Sequence, residues 1–330
     1  MRERVRPQGC LALLLVLLAA TPAYAQLNGE NLLGDTGVKN GTQPAPGFYV
    51  AHLYYRYGTD TIKDGEGERV IPDPDQRGSQ ALHAFVPLVV YVSSAKVLGG
   101  NYGMMAVMPF ANGSLEAPAF GLDADVSTGP ADLYLMPFQL GWHLPRADVT
   151  TAFALFAPTG RHTAGADDNT GKGMWSYEFS GGTTLYLDEA KSLSFATSAF
   201  WEIHSKKDGT DIRVGPLTLA AIRVGQLLTL EGGFGKSFLE GAASVGVAYY
   251  AQWKITRDDF GFPFQLPLDK HRVWGGGPDV TVPIATKSTL ISLVNVRYLW
   301  EAGARLKTQG ESLLITATFP VPSLTIPPRK

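Results

Sequence analysis

The chain has 330 residues, a formal net charge of −2 and only 18% charged residues, with no basic patch that would suit nucleic acid. No stretch beyond residue 25 approaches the roughly 18 consecutive apolar residues of a transmembrane helix, which excludes a helical membrane protein. The 37 glycines, 13 tyrosines and 6 tryptophans favour a protein with tight turns and interfacial aromatic residues, as in transmembrane barrels.

The first 25 residues are predicted to be a secretory signal peptide. Three arginines precede an apolar run at 10–20, and residues 23–25 (AYA) form a small-x-small cleavage site. The run is shorter than the roughly 20 residues needed to span a bilayer. The mature chain is therefore expected to begin at Gln26. Because Cys10 is the only cysteine, the mature chain should have no disulfide and no thiol chemistry.

The leader at 26–46 (QLNGENLLGDTGVKNGTQPAP) has no long hydrophobic periodicity. Two alternatives fit this segment: a periplasmic tail, or a plug folded into the lumen of a barrel. The sequence is compatible with both.

Twelve strand-like segments follow within 47–320, and their connectors alternate in length. A meander in a closed transmembrane barrel produces this rhythm, with tight periplasmic turns and long outer loops. The pattern predicts an all-β, antiparallel meander barrel in a bacterial outer membrane, followed by a C-terminal tail at 321–330. The connectors are long at 58–79, 111–130, 158–173, 205–225 and 257–272, and short at 93–99, 144–147, 188–191, 239–241 and 284–287, with a medium one at 301–310.

Several segments alternate apolar and polar residues with a period of two, as half-buried strands do. The clearest are 174–187, 192–204, 242–256 and 288–301. A slip of one residue would turn the charged face towards hydrocarbon, so the register should be strongly defined.

Residues 212–223 (IRVGPLTLAAIR) also resemble a strand. We assign them to a long loop, because counting them would give an odd number of strands. A fourteen-stranded barrel with an extra hairpin is the alternative.

The predicted inner wall combines aromatic residues with groups of opposite charge. That mixture suits a semi-apolar or aromatic solute better than ions or sugars. Besides the candidates, the predicted inner wall carries Phe48, Phe85, Phe156, Phe200, Gln139, Glu178, Glu202, Glu231, Lys254 and Asp279, and the histidines His52 and His83. The candidate lumen-lining residues for binding a solute are Tyr54, Arg56, His143, Tyr186, His204, Tyr250 and Arg297.

No catalytic or metal-binding motif accompanies these residues. The sequence has neither a G-x-S-x-G elbow nor an H-E-x-x-H pair. None of the six histidines is followed two positions later by serine, the spacing of outer-membrane barrel lipases. Acidic pairs such as Asp167 and Asp168 fit solvated loop charge better than a calcium site. We therefore expect no enzyme activity, no cofactor and no metal.

Six motifs resemble those of one known family and together cover most of the mature chain. They are PGFY at 46–49, DLYLMPFQLGWHLP at 132–145, APTGRH at 157–162, GKGMWSYEFSGGTTLYLD at 171–188, VGVAYYAQWKITRDD at 245–259 and GGGPDV at 275–280. This is the meta-pathway phenol-degradation family, which is related to the fatty-acid-type outer-membrane transporters. The resemblance implies a barrel and uptake of aromatic or other hydrophobic compounds, and it supplies no catalytic residues.

The expected function is passive passage of small hydrophobic or aromatic compounds across the outer membrane. The expected partners are such a solute, outer-membrane lipid and lipopolysaccharide. The alternatives are an outer-membrane enzyme that acts on lipids, a structural or surface-interaction barrel, and a soluble periplasmic sandwich.

Overall fold

The computed structural model describes residues 28–163, 166–209, 212–214, 217–219, 222–259, 270–287 and 289–321. The predicted signal peptide lies outside these residues, as does most of the predicted C-terminal tail. Among the residues described, no helix is both long and apolar enough to cross a bilayer.

The described chain consists almost entirely of antiparallel strands, with three single-turn 3₁₀ helices at Pro74–Gln76, Pro118–Phe120 and Leu239–Gly241. The strands are β1 (Gly47–Thr59), β2 (Ile62–Lys63), β3 (Ser79–Val97), β4 (Gly100–Val107), β5 (Phe110–Ala117), β6 (Leu122–Pro130), β7 (Leu133–His143), β8 (Ala147–Ala157), β9 (Ser176–Tyr186), β10 (Leu193–His204), β11 (Ile212–Val214), β12 (Leu217–Leu219), β13 (Leu227–Phe238), β14 (Ala243–Lys254), β15 (Arg272–Ala285), β16 (Leu290–Arg305), β17 (Lys307–Thr308) and β18 (Glu311–Pro320).

Twelve of these strands close into a barrel, as predicted. Their order is β1-β3-β4-β7-β8-β9-β10-β13-β14-β15-β16-β18, and β18 pairs back onto β1. Closure leaves none of these twelve strands with an unpaired edge, which a barrel in lipid requires.

The predicted outer loop 111–130 is mostly a hairpin, which corrects the sequence-based assignment. Strands β5 and β6 prolong β4 and β7, so that β3 pairs with β4 along one part of its length and with β5 along the other. Each junction contains a proline: Pro109 separates β4 from β5, and Pro130 ends β6. Proline has no N–H to donate to the ladder, which accounts for the break in each strand.

The hairpin suspected at 212–223 exists, but it stands apart from the barrel. Among the described residues, strands β11 and β12 pair with each other alone, in a separate two-stranded sheet. The loop assignment therefore gave the correct number of barrel strands, and the fourteen-stranded alternative was wrong. A second small sheet joins β2 to β17 at the outer end of the barrel.

The predicted faces of β9, β10 and β14 are confirmed. In β14, Val245 and Val247 are exposed towards lipid, whereas Tyr250, Gln252 and Lys254 are buried on the inner side. This strand therefore presents apolar groups to lipid and polar groups to the lumen.

The predicted faces of β1 and of the outer half of β3 were wrong by one residue. Tyr54 and Arg56 lie on the lipid side, and Tyr54 is 37% exposed and bonds the ring of His83. The residues that face inward on β1 are Ala51, Leu53, Tyr55 and Tyr57, all of them buried. The residues predicted inside but found outside are Phe48, His52, Tyr54, Arg56, His83 and Phe85.

The reversal has a physical cause in the packing of the lumen. Leu53 and Tyr55 belong to a buried apolar cluster, and Leu32 and Leu33 of the leader pack against it. The inner side of β1 is therefore apolar. A prediction that places polar side chains inside fails where another part of the chain supplies apolar partners.

Candidate functional site: the barrel lumen

Residues 28–46, here called the lumenal segment, run the length of the barrel interior. At one end, the Asn28 carbonyl accepts a bond of 3.4 Å from Lys172, in the long connector between β8 and β9. At the other end, Lys39 donates at 3.4 Å to Gly241, in the tight turn between β13 and β14. These connectors lie at opposite ends of a meander, so the segment passes from the outer mouth to the periplasmic side.

Three wall carboxylates hold the main chain of the lumenal segment. Glu202 accepts the N–H of Glu30 at 2.6 Å and that of Asn31 at 3.3 Å. Glu231 accepts the N–H of Gly34 at 2.9 Å, and Asp279 accepts the N–H of Val38 at 3.1 Å. Bonds from backbone N–H groups to carboxylates are among the stronger hydrogen bonds in proteins.

Two glycines allow this close approach to the wall. Gly34 has φ +78°, a backbone conformation that other residues rarely adopt, and a Cβ there would overlap Leu299. A Cβ at Gly37 would overlap the Asp279 carboxylate. A side chain at either position would force the lumenal segment or the wall side chain that it meets to shift.

The periplasmic end of the lumen is organised around one buried carboxylate, Asp148. It accepts bonds from the Thr42 hydroxyl at 3.0 Å and from the Tyr186 hydroxyl at 2.5 Å. Its other oxygen lies 3.1 Å from Nδ1 of His143, which is directly opposite it on β7. Two of the predicted candidates therefore meet here, at the point where the lumenal segment approaches β1.

The outer end of the lumen is rich in buried ionisable groups. Lys172 lies 3.5 Å from the Glu30 carboxylate, and Lys307 donates to Gln252 at 2.6 Å. Burial raises the pKa of Glu30 to about 7, with Lys172 acting in the opposite direction. Burial lowers the pKa of Lys207 to about 8, and the nearby charge of Lys172 contributes to the shift.

The structure places five of the seven candidate residues on the inner face but does not bring them into one site. His143 and Tyr186 lie at the periplasmic end, and His204 lies at the outer end, where its Nδ1 is 2.8 Å from Ser176 Oγ. Tyr250 bonds Glu301 at 2.8 Å, and Arg297 bonds Asp279 at 2.9 Å.

Sequence reasoning missed the residues that contact the lumenal segment most directly. Glu202, Glu231 and Asp279 were placed on the inner wall, the two glutamates as partners for wall histidines, but none was expected to bind the leader, and Asp148 was not considered. The signal that could have found them is the glycine content of the leader, because repeated glycines indicate a backbone that approaches other groups closely.

A closed meander of twelve antiparallel strands, apolar towards lipid and charged within, defines an outer-membrane β-barrel. Within that class the chain belongs to the family described as "Putative MetA-pathway of phenol degradation", whose model matches residues 59–316. The resemblance drawn from the sequence motifs is thereby confirmed, together with the location in the bacterial outer membrane.

One solved outer-membrane channel has a similar fold, and two further barrels match with lower TM-scores. The COG4313 outer membrane channel from Pseudomonas putida F1 matches with a TM-score of 0.69 at 16% identity, over 88% of this chain and 100% of that chain. The beta domain of the Bordetella autotransporter BrkA matches with a TM-score of 0.48 at 13% identity, over 84% and 100%. A Pseudomonas aeruginosa FadL homologue matches with a TM-score of 0.36 at 10% identity, over 83% and 90%. No curated protein sequence matches the chain.

Proposed function

We propose that this protein is a channel for passive uptake of small hydrophobic or aromatic compounds across the outer membrane. The observation that carries the proposal is a barrel whose interior is occupied by a segment of chain. Within the described part of the chain, the lumenal segment joins the wall covalently only at Gly47 and is otherwise held by hydrogen bonds and packing. Displacing it would leave a route lined by the residues that it now contacts.

The inner wall offers aromatic surface for such a solute. Tyr55 and Tyr250 belong to the same buried apolar cluster as Leu299 and Leu314, against which Leu32 and Leu33 of the lumenal segment pack. A solute could replace the two leucine side chains on this surface as the segment moves. Movement would follow the concentration gradient, with no cofactor and no energy source.

The outward face suits the expected partner, membrane lipid. Large apolar side chains such as Phe234, Val247 and Trp300 are about half exposed along the strands. In a bilayer these groups would lie in hydrocarbon. The long outer loops would contact lipopolysaccharide at the cell surface.

One observation bears on the alternative of a lipid-acting enzyme. Ser176 Oγ lies 2.8 Å from Nδ1 of His204, a distance that suits a nucleophile and its base. However, Ser176 is fully buried, and Nε2 of His204 has no hydrogen-bond partner among the described residues that could orient the ring. A phospholipase assay on detergent-purified protein, with Ser176→Ala as the control, would reveal such an activity.

Uptake by whole cells tests the channel directly. Cells with an intact lipopolysaccharide layer would express the wild-type protein or carry an empty vector, and entry of labelled benzyl alcohol would be followed. We expect labelled benzyl alcohol to enter cells that express the protein faster than cells with the empty vector, and its entry to saturate at high concentration. Equal rates in the two strains would refute the proposal.

A further inference from the structure

Four inward-facing residues converge at the outer end of the lumen. Lys254 ends β14, and its N–H donates to the His271 carbonyl at 2.9 Å, one position beyond the paired residues Trp253 and Arg272. Residues directly opposite on neighbouring strands share a face. The His271 side chain therefore lies beside that of Lys254. Gln252, also on the inner face of β14, accepts the 2.6 Å bond from Lys307.

His271 stands out among these groups because it is buried without a partner. It is only 7% exposed, and neither ring nitrogen has a hydrogen-bond partner within the described ranges. Buried polar groups in native proteins are nearly always paired. An unpaired imidazole beside two ammonium groups therefore indicates a position for a ligand atom that accepts hydrogen bonds.

The carboxylates nearby already have donors of their own. Glu301 accepts bonds from the hydroxyls of Tyr57 and Tyr250 and from the Gly310 N–H. Asp258 accepts bonds from Lys254 at 2.7 Å and from the Gly225 N–H. Burial lowers the pKa of Lys307 to about 8, opposed by Glu301 and reinforced by Lys254. A further anion here would relieve the repulsion between the two lysines.

We propose that Lys307 and His271 bind the carboxylate of a small aromatic acid at the outer mouth of the lumen, beside the positive charge of Lys254. The proposal rests on the proposed channel function and names the class of solute. Lys307 supplies an ammonium group and His271 an imidazole N–H for the two carboxylate oxygens, whereas Lys254 stays bonded to Asp258 and adds positive charge. Val273 lies two positions beyond His271 and therefore on the same face of the strand. It belongs to one buried apolar cluster with Ala304 and Tyr57, and the ring of the acid would pack against this cluster.

Equilibrium binding to the purified full-length mature protein in detergent tests this site. The probes are labelled benzoate, its neutral counterpart benzyl alcohol, and inorganic phosphate as a competitor. The variants are Lys307→Met and His271→Leu, and the matched control is Lys96→Met, an exposed lysine at the periplasmic end of β3. A heat-dependent mobility shift on a gel checks that each barrel is folded. Lys307→Gln, which retains a donor towards Gln252, replaces Lys307→Met if that variant does not fold.

We expect wild-type protein to bind benzoate at least tenfold more tightly than benzyl alcohol. Either site variant should lose that preference and keep its affinity for benzyl alcohol, whereas Lys96→Met should behave as wild type. Unchanged benzoate affinity in Lys307→Met or its replacement would overturn the proposal. Equally effective competition by phosphate would overturn it as well, because the site would then bind any anion.

If benzyl alcohol enters cells but the protein does not bind benzoate more tightly than benzyl alcohol, the site is refuted and the channel stands. If neither compound enters through the protein, the channel itself is refuted.

Discussion

Arg297 on β16 and Asp279 on β15 lie directly opposite each other and form an ion pair of 2.9 Å inside the barrel. Both also bond the main chain of the lumenal segment. Arg297 donates to the Gly34 carbonyl at 3.1 Å, and Asp279 accepts from the Val38 N–H at 3.1 Å. The pair therefore connects the wall to two points of the segment, four residues apart.

Replacing Arg297 should loosen the lumenal segment. Arg297→Met removes charge-assisted bonds to the segment, and one such bond contributes about 1.5 kcal/mol, which corresponds to roughly a tenfold change in an equilibrium. The mature chain is expected to have no cysteine, so Asn31→Cys provides a single thiol for labelling. We expect that thiol to react with a maleimide about tenfold faster in the Arg297→Met background. Arg305→Met, at an exposed position on the same strand, is the control, and equal rates in the two backgrounds would contradict the assignment.

Gly37 offers a second test of the same contact. A Cβ at this position would overlap the Asp279 carboxylate, whereas a Cβ at Gly58 would meet no atom within 4 Å. Gly37→Ala should therefore displace the segment and expose the Asn31→Cys thiol, while the barrel keeps its heat-dependent gel mobility. Gly58→Ala should change neither property. Slow labelling in Gly37→Ala would show that the segment does not follow this path.

Docking of the lumenal segment should weaken as the pH rises. Burial raises the pKa of Glu30 above its ordinary value of 4.5, to about 7. A carboxyl whose folded-state pKa is raised contributes stability that is fully present below about 4.5 and is lost as the pH rises through about 7. A nitroxide label on Asn31→Cys should become more mobile between pH 5 and pH 8. Glu30→Gln should flatten that dependence, and a pH profile unaffected by this substitution would contradict it.

The lipid-facing surface of β14 should not tolerate charge. Val247 points outwards and is 55% exposed, whereas Ala243 lies at the periplasmic end of the same strand. Val247→Lys should reduce the free energy of unfolding in lipid vesicles by about 2–4 kcal/mol, and Ala243→Lys by about 1 kcal/mol or less. Urea titration of the folded fraction gives both values. Equal effects at the two positions would argue against a membrane boundary along this strand.

The architecture was predictable because membrane insertion imposes regular constraints. Tight turns on one side and long loops on the other revealed twelve strands, and strict alternation placed Tyr250 and Lys254 inside. The hairpin β5–β6 was missed because its glycines, aspartates and prolines resemble those of a loop. The hairpin pairs with the part of β3 that extends beyond the main barrel. The sequence of the hairpin itself does not show this partner.

The lumen was less predictable than the wall for a related reason. On β1, Tyr54 and Tyr55 are chemically alike, and only the contact of Leu32 and Leu33 with the inner face decides between them. Such a contact between the leader and the barrel produces no periodic pattern of apolar residues in the sequence of either segment. The glycines of the leader were the one local signal, because Gly34 and Gly37 each lie against a wall side chain.

The central claim is that a solute passes through the barrel only when the lumenal segment moves. A disulfide between Val38→Cys and Gly235→Cys would lock the segment, because a Cβ at Gly235 would lie 2.7 Å from a methyl group of Val38. Benzyl alcohol uptake should fall to the empty-vector rate when this double variant is oxidised and recover on reduction, whereas uptake by each single variant should be the same under both conditions. Equal uptake by the oxidised and reduced forms would contradict the account.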